Sequence, residues 1–135
     1  MKSVKVADYM TRKLISFTPE TSVVEALGIL IEKGISGAPV VDAEGKLVGM
    51  LSEVDVIKVV IEDSYYNENA GIVADYMHQP VETVDPEMDI YSLAEQFRNA
   101  HRRRYPVVKH GKLLGQISRR DVLRAARDFM DRKKP

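Results

Sequence analysis

The sequence predicts an α/β protein made of two copies of a β-α-β-β-α unit, and three observations carry that prediction. First, Val6-Ala7-Asp8-Tyr9-Met10 recurs unchanged 67 residues later as Val73-Ala74-Asp75-Tyr76-Met77. Second, the register continues: Pro19-Glu20 matches Pro86-Glu87, and Pro39-Val40-Val41 matches Pro106-Val107-Val108. After one lost residue, Gly49, Ser52, Asp55 and Val56 match Gly115, Ser118, Asp121 and Val122. Third, each copy alternates between strand-like and helix-like apolar spacing.

The elements follow in order from local chemistry. Residues 14–17 are a β-prone run ending at Thr18-Pro19. Ser22-Val23-Val24-Glu25 has the form of a capping box. Behind it Val23, Ala26, Leu27, Leu30 and Ile31 recur at helical spacing, and Gly34 supplies the stop. Residues 38–41 and 47–51 read as short strands joined by a turn at Ala43-Glu44-Gly45. A second helix opens at Ser52 and carries Val54, Val56, Ile57, Val59 and Val60. The second copy repeats this order, with Asp89 capping its first helix and Ser118 its last. The expected organisation is repeat 1 over residues 1–62, a polar linker over 63–72, repeat 2 over 73–127 and a fraying tail over 128–135. Two open readings attach to the edges: Tyr65 and Tyr66 cover a cleft or lie on the surface, and Phe129 and Met130 anchor a dimer or fray.

Composition limits the function classes. With 135 residues, 44% apolar and 30% charged, the chain is globular rather than disordered. Twenty basic and twenty acidic side chains give a net charge of zero, which removes any global attraction to nucleic acid or membrane. No cysteine is present, which excludes disulfides, thiolate metal sites and cysteine nucleophiles. No run approaches the ~20 apolar residues of a membrane span, and Met1-Lys2-Ser3-Val4-Lys5-Val6 lacks the apolar run of a signal peptide. A cytoplasmic protein is expected. A unit of roughly 60 residues buries little surface alone, so the two repeats are expected to pack face to face with pseudo-twofold symmetry, leaving two related clefts.

The chemistry lies in Gly49-Met50-Leu51-Ser52-Glu53-Val54-Asp55 and its copy, Gly115-Gln116-Ile117-Ser118-Arg119-Arg120-Asp121. The glycine lets a ligand or backbone approach closely. The serine opens a helix, where unpaired N–H groups and a partial positive charge suit a phosphate. The aspartate can accept the hydroxyl pair of a ribose, as acidic residues do in dinucleotide folds. Serine followed three residues later by an acidic residue is equally a helix cap, and Ser22 with Glu25 uses that pattern with no ligand in view. Both readings stand, and they are compatible.

These motifs, together with Ala38-Pro39-Val40-Val41 and Tyr105-Pro106-Val107-Val108, resemble a tandem pair of cystathionine-β-synthase (CBS) domains, the arrangement called a Bateman module, over about residues 6–127. The resemblance implies a regulatory module that binds adenine nucleotides (AMP, ADP or ATP), with S-adenosylmethionine or NADH as further possibilities, and requires no cofactor. It implies a homodimer and no catalysis. Carried onto this chain, it assigns one site to Asp121 for the ribose and Ser118 for the phosphate side, with adenine against Ile35, Ser36 and Ala38. A second site would use Asp55 and Ser52 facing Arg102, Arg103 and Tyr105. Some family members place a basic residue where Arg103 and Arg104 stand, within reach of phosphate; Ser36 and Gly37 depart from that pattern. Arg119 and Arg120 favour an anion near Ser118, whereas Glu53 opposes one near Ser52, so the Asp121 cleft is expected to be the better adenine site.

Residues 1–67 carry 7 basic and 10 acidic side chains and residues 68–135 carry 13 and 10, a modest asymmetry without aromatic interleaving. The Arg102-Arg103-Arg104 run therefore reads as surface or helix-end charge, as a phosphate contact, or, last, as a weak nucleic-acid site. His78, His101 and His110 lack metal-ligand spacing, and no serine–histidine–aspartate set is recognisable. The expected mechanism is a ligand that favours one relative orientation of the repeats, read by a separate, unidentified protein. The rival is a ligand-independent interaction or dimerisation module whose Ser-x-x-Asp segments only cap helices.

Overall fold

The structure, a computed structural model, describes residues 4–61 and 70–132. Its elements are α1 (Val6–Tyr9), α2 (Val23–Lys33), β1 (Gly37–Val41), β2 (Leu47–Ser52), α3 (Glu53–Ile61), a 3-10 turn over Val73–Asp75, α4 (Ile90–Asn99), β3 (Arg104–Lys109), β4 (Lys112–Ser118) and α5 (Arg119–Arg132). The expected caps are in place: Ser22 Oγ accepts the Glu25 amide, Asp89 accepts the Ser92 amide, and Gly34 ends α2 in the left-handed conformation at φ 63°. Most of the stretch expected as a linker, with Tyr65 and Tyr66, lies outside the described residues. Its last part is packed: Val23 donates to the Gly71 carbonyl, and Ile72 bridges Ser22. The expected fraying tail is instead helical as far as Arg132, so Phe129 and Met130 belong to α5.

β1 and β2 form an antiparallel hairpin, as do β3 and β4, and both carry a bulge at the matching valine step. The first strand expected in each repeat is reduced to one parallel bridge, Phe17 to Val40 and Val84 to Val107. Proline explains both. Phe17 donates to the Pro39 carbonyl and accepts from Val41, and the next rung would need a Pro39 amide proton that does not exist. Pro106 stops the Val84 pairing in the same way.

The chain divides into two compact units, one holding residues 15–81 and the other residues 1–14 with 82–135. The packing boundary therefore differs from the repeat boundary, because the opening Val-Ala-Asp-Tyr-Met segment of each repeat is part of the other repeat's unit. In the first unit, His78 bridges Met50 at the free edge of β2; in the second, Thr11 bridges Gln116 on β4. Gly49 and Gly115 serve this approach, not a ligand's. A Cβ on Gly49 would stand 2.7 Å from Met77 Sδ, and one on Gly115 would stand 2.6 Å from the Thr11 carbonyl oxygen.

Each unit has its own core. In the first, Phe17, Val23, Ala26, Leu30, Val40, Leu51 and Val56 are buried; in the second, Val6, Leu93, Phe97, Tyr105, Val107 and Ile117. The apolar stripes of α2 and α3 are wider than the core needs. Leu27 and Ile31, expected inside, are exposed, as are Val24, Val54, Ile57 and Ile61. No helix among the described residues is long and apolar enough to cross a membrane.

Candidate functional site

Ser52 ends β2 and Ser118 ends β4, and in each case the next residue opens a helix. The local geometry is nearly identical. Asp55 Oδ2 accepts the Ser52 amide at 2.8 Å and its hydroxyl at 2.9 Å, while Ser52 Oγ accepts the Asp55 amide at 3.3 Å. At the second site the same three bonds measure 2.8, 3.0 and 3.3 Å between Ser118 and Asp121. Asp55 and Asp121 are the charged residues buried among the described ones, 7% and 8% exposed. A buried carboxylate needs such donors. The capping role is thus real, and the chain uses it elsewhere: Asp8 accepts the Lys5 amide and Asp75 the Ile72 amide, each at 3.0 Å.

The two carboxylates differ in their remaining partner. His78 Nδ1 lies 2.7 Å from Asp55 Oδ2. Arg124 instead donates to Asp121 Oδ1 at 2.8 Å, reaches the Tyr9 carbonyl at 3.3 Å and lies 5.6 Å over the Tyr9 ring. The hydrogen bond and charge of Asp121 raise the Arg124 guanidinium above its already high ionisation range. Neither contact was legible in the sequence. His78 stands where the first repeat has Thr11, and Arg124 where it has Lys58; such departures from the repeat were the available signal.

The other expected site residues adjoin the serine of their own repeat: the first-repeat set expected to serve Asp121 lies beside Ser52, and the second-repeat set expected to face Asp55 lies beside Ser118. Gly37 pairs with Ser52 and the Glu53 amide donates to the Ser36 carbonyl at 2.9 Å, which places half-buried Ile35 and Ser36 and buried Ala38 at the start of α3. Arg104 pairs with Ser118, and the Arg119 amide donates to the Arg103 carbonyl at 3.1 Å. Exposed Arg103, Arg119 and Arg120 thus lie along the backbone that leads into α5. Arg102 is engaged by Glu82 at 3.0 Å. Tyr105 needs a correction. Its side chain is fully buried with its ring centroid 4.9 Å from that of Phe97, so it fills the core and does not face a ligand. Its hydroxyl has no hydrogen-bond partner among the described residues.

The CBS-domain family model matches residues 6–62 and 73–128. The chain belongs to the CBS-domain family. Its fold is that of solved CBS-pair proteins. A crystal structure of CBSX2 in complex with AMP covers 93% of this chain and 98% of its own, at 32% identity and TM-score 0.80. The CBS domain pair of protein MJ0100, crystallised with 5′-methylthioadenosine and S-adenosyl-L-methionine, covers 98% and 100% at 25% identity and TM-score 0.71. Among curated relatives, the A-adding tRNA nucleotidyltransferase of Aquifex aeolicus is 30% identical over 129 residues, 96% of this chain and 15% of that protein. The chain spans 13% to 63% of the length of such relatives. Within this CBS pair, the described residues contain no group of three or more histidine and carboxylate side chains that could hold a metal ion.

A separate groove lies between α4 and α5. It measures about 450 Å³ and is walled by apolar side chains, among them Val4, Ile90, Tyr91, Val122, Phe129 and Met130. None of the expected ligand residues lines it.

Proposed function

We propose that this CBS pair is a regulatory module that binds an adenine nucleotide of the AMP, ADP or ATP type and signals its presence to a partner protein. The observation that carries the reading is the pair of buried carboxylates, Asp55 and Asp121, each at a helix opening beside a serine. In this reading the carboxylate accepts the ribose hydroxyls while Ser52 or Ser118 meets the phosphate side. Arg103, Arg104, Arg119 and Arg120 add positive charge around Ser118, whereas Glu53 opposes an anion near Ser52, so the Asp121 site is the stronger one for AMP. Half-buried Ile35 and Ser36 offer small surface for a purine, whereas Ala38, expected beside them, is buried in the core and offers none. The crystals of CBSX2 with AMP and of MJ0100 with adenosyl compounds support this ligand class; NADH belongs to the screen as well. Binding shifts the population between two conformations that a partner reads, without catalysis. The module acts as a homodimer in the cytoplasm, and the exposed Val24, Ile31, Val54, Ile57 and Ile61 side chains support association.

A second reading, a ligand-independent interaction module, is favoured by the fact that both carboxylates already serve as caps. A thermal-shift screen with AMP, ADP, ATP, S-adenosylmethionine and NADH separates the two. A ligand at 100 times its Kd stabilises by about 2.7 kcal/mol, which is readily seen. Isothermal titration of AMP is then expected to weaken more with Asp121→Ala than with Asp55→Ala. A screen in which no ligand shifts the melt, or unchanged affinity in both variants, rejects the nucleotide reading.

A further inference from the structure

His78 is held against the Ser52–Asp55 clasp by its own backbone. Its amide donates to the Met50 carbonyl at 2.9 Å and its carbonyl accepts the Met50 amide at 3.1 Å. This fixes the imidazole at the edge of β2, with Nδ1 2.7 Å from Asp55 Oδ2, the oxygen that also takes the serine amide and hydroxyl. The histidine side chain is 48% exposed and the carboxylate 10%. A carboxylate only accepts, so Nδ1 carries the proton in either charge state of the ring. Gaining a second proton converts a neutral donor into a charge-assisted one.

Among the described residues, the ion pair that His78 forms is the one with Asp55. From α3 it faces Asp55; Glu53 and Lys58 on that helix form no ion pair with it among the described residues. Strand β2 contains no titratable residue. On its own segment, Asp75 is occupied by the Ile72 amide. At the matching site, Arg124 holds Asp121 and keeps its charge at every physiological pH.

We infer that His78 competes with the sugar hydroxyls of a ligand for Asp55, so that binding at the Ser52–Asp55 site weakens in acid while binding at the Ser118–Asp121 site does not. The inference rests on the proposed role of Asp55 as a ribose acceptor. An adenosyl ligand must either displace the imidazole N–H from Oδ2 or settle for Oδ1 alone. Protonation opposes both: the imidazolium is harder to displace, and it draws negative charge away from the whole carboxylate. Histidine side chains change charge roughly between pH 5 and 8, inside the range a cell can visit.

5′-Methylthioadenosine is a suitable probe because it has both sugar hydroxyls and no phosphate to titrate. Isothermal titration on an Asp121→Asn background reports the Ser52–Asp55 site alone. Affinity is expected to fall about fivefold from about pH 7.5 to about pH 5.5, the gain of a charge-assisted over a neutral hydrogen bond. Adding His78→Gln is expected to flatten the profile. A flat profile with His78 present, or the same slope after His78→Gln, overturns the inference and leaves the ribose reading standing. Unchanged affinity after adding Asp55→Asn, or no binding at either pH, overturns the ribose reading and the inference with it.

Discussion

Asp55 and Asp121 occupy matching positions and are clasped by their serines with the same amide distance, 2.8 Å, yet what else holds each carboxylate has diverged. At Asp55 it is a half-exposed histidine delivered by the opening segment of the other repeat. At Asp121 it is an arginine one turn along the same helix. The two copies share what the backbone demands and differ in what the backbone does not need. A cap must satisfy the serine amide in both copies; the additional donor is free to tune charge and response.

Three experiments sharpen or break this comparison. The largest effect is expected where the opening segments meet the hairpins. Gly115→Ala places a Cβ 2.6 Å from the Thr11 carbonyl oxygen, which is backbone and cannot step aside. A loss of about 1–3 kcal/mol in urea unfolding is expected from such overpacking. Gly49→Ala meets the flexible end of Met77 first, at 2.7 Å, and should cost less. Equal losses would show that the two contacts are equally rigid. Next, Arg124→Ala removes a half-exposed ion pair and is expected to lower the melting temperature by less than Gly115→Ala does. Lys58→Ala, at the matching place, should leave the melt unchanged, and a loss equal to that of Arg124→Ala would erase the distinction. The smallest effect concerns acid. The Glu87 amide, with help from Lys109, holds the Asp85 carboxyl below its usual value. Its contribution is therefore present above the unfolded value of 3.8 and lost as pH falls through the lower folded one. At the matching turn stands Thr18, bonded to Thr21, with no charge to lose. Asp85→Asn should slightly flatten the acid limb of a stability–pH curve, and an unchanged limb would count against the assignment.

Local chemistry made much of the fold legible. The capping signatures at Ser22, Asp89 and Gly34 and the alternating hairpins depend on neighbours a few residues away, and those neighbours are visible in the string. The wide apolar stripe of α2 misled, because spacing cannot tell a side chain that meets the core, such as Leu30, from one that meets solvent, such as Ile31. The shortened first strands were hidden in Pro39 and Pro106, whose missing amides matter only once the pairing partner is known. For the candidate site, the repeated Ser-x-x-Asp marked two positions that the structure shows as matching helix openings. It gave no hint of His78, which arrives at Asp55 through a pairing between residues 50 and 78 that no periodicity announces. Tyr105 is a related case: its place in the motif is clear, but the direction of its ring is set by the core around Phe97.

Because each compact unit borrows its first segment from the other repeat, half of this chain is not half of a protein. A single repeat would leave one hairpin edge bare and carry an arm with nowhere of its own to lie. Two such half-length chains could complete each other by exchanging that arm, each closing the edge the other leaves open.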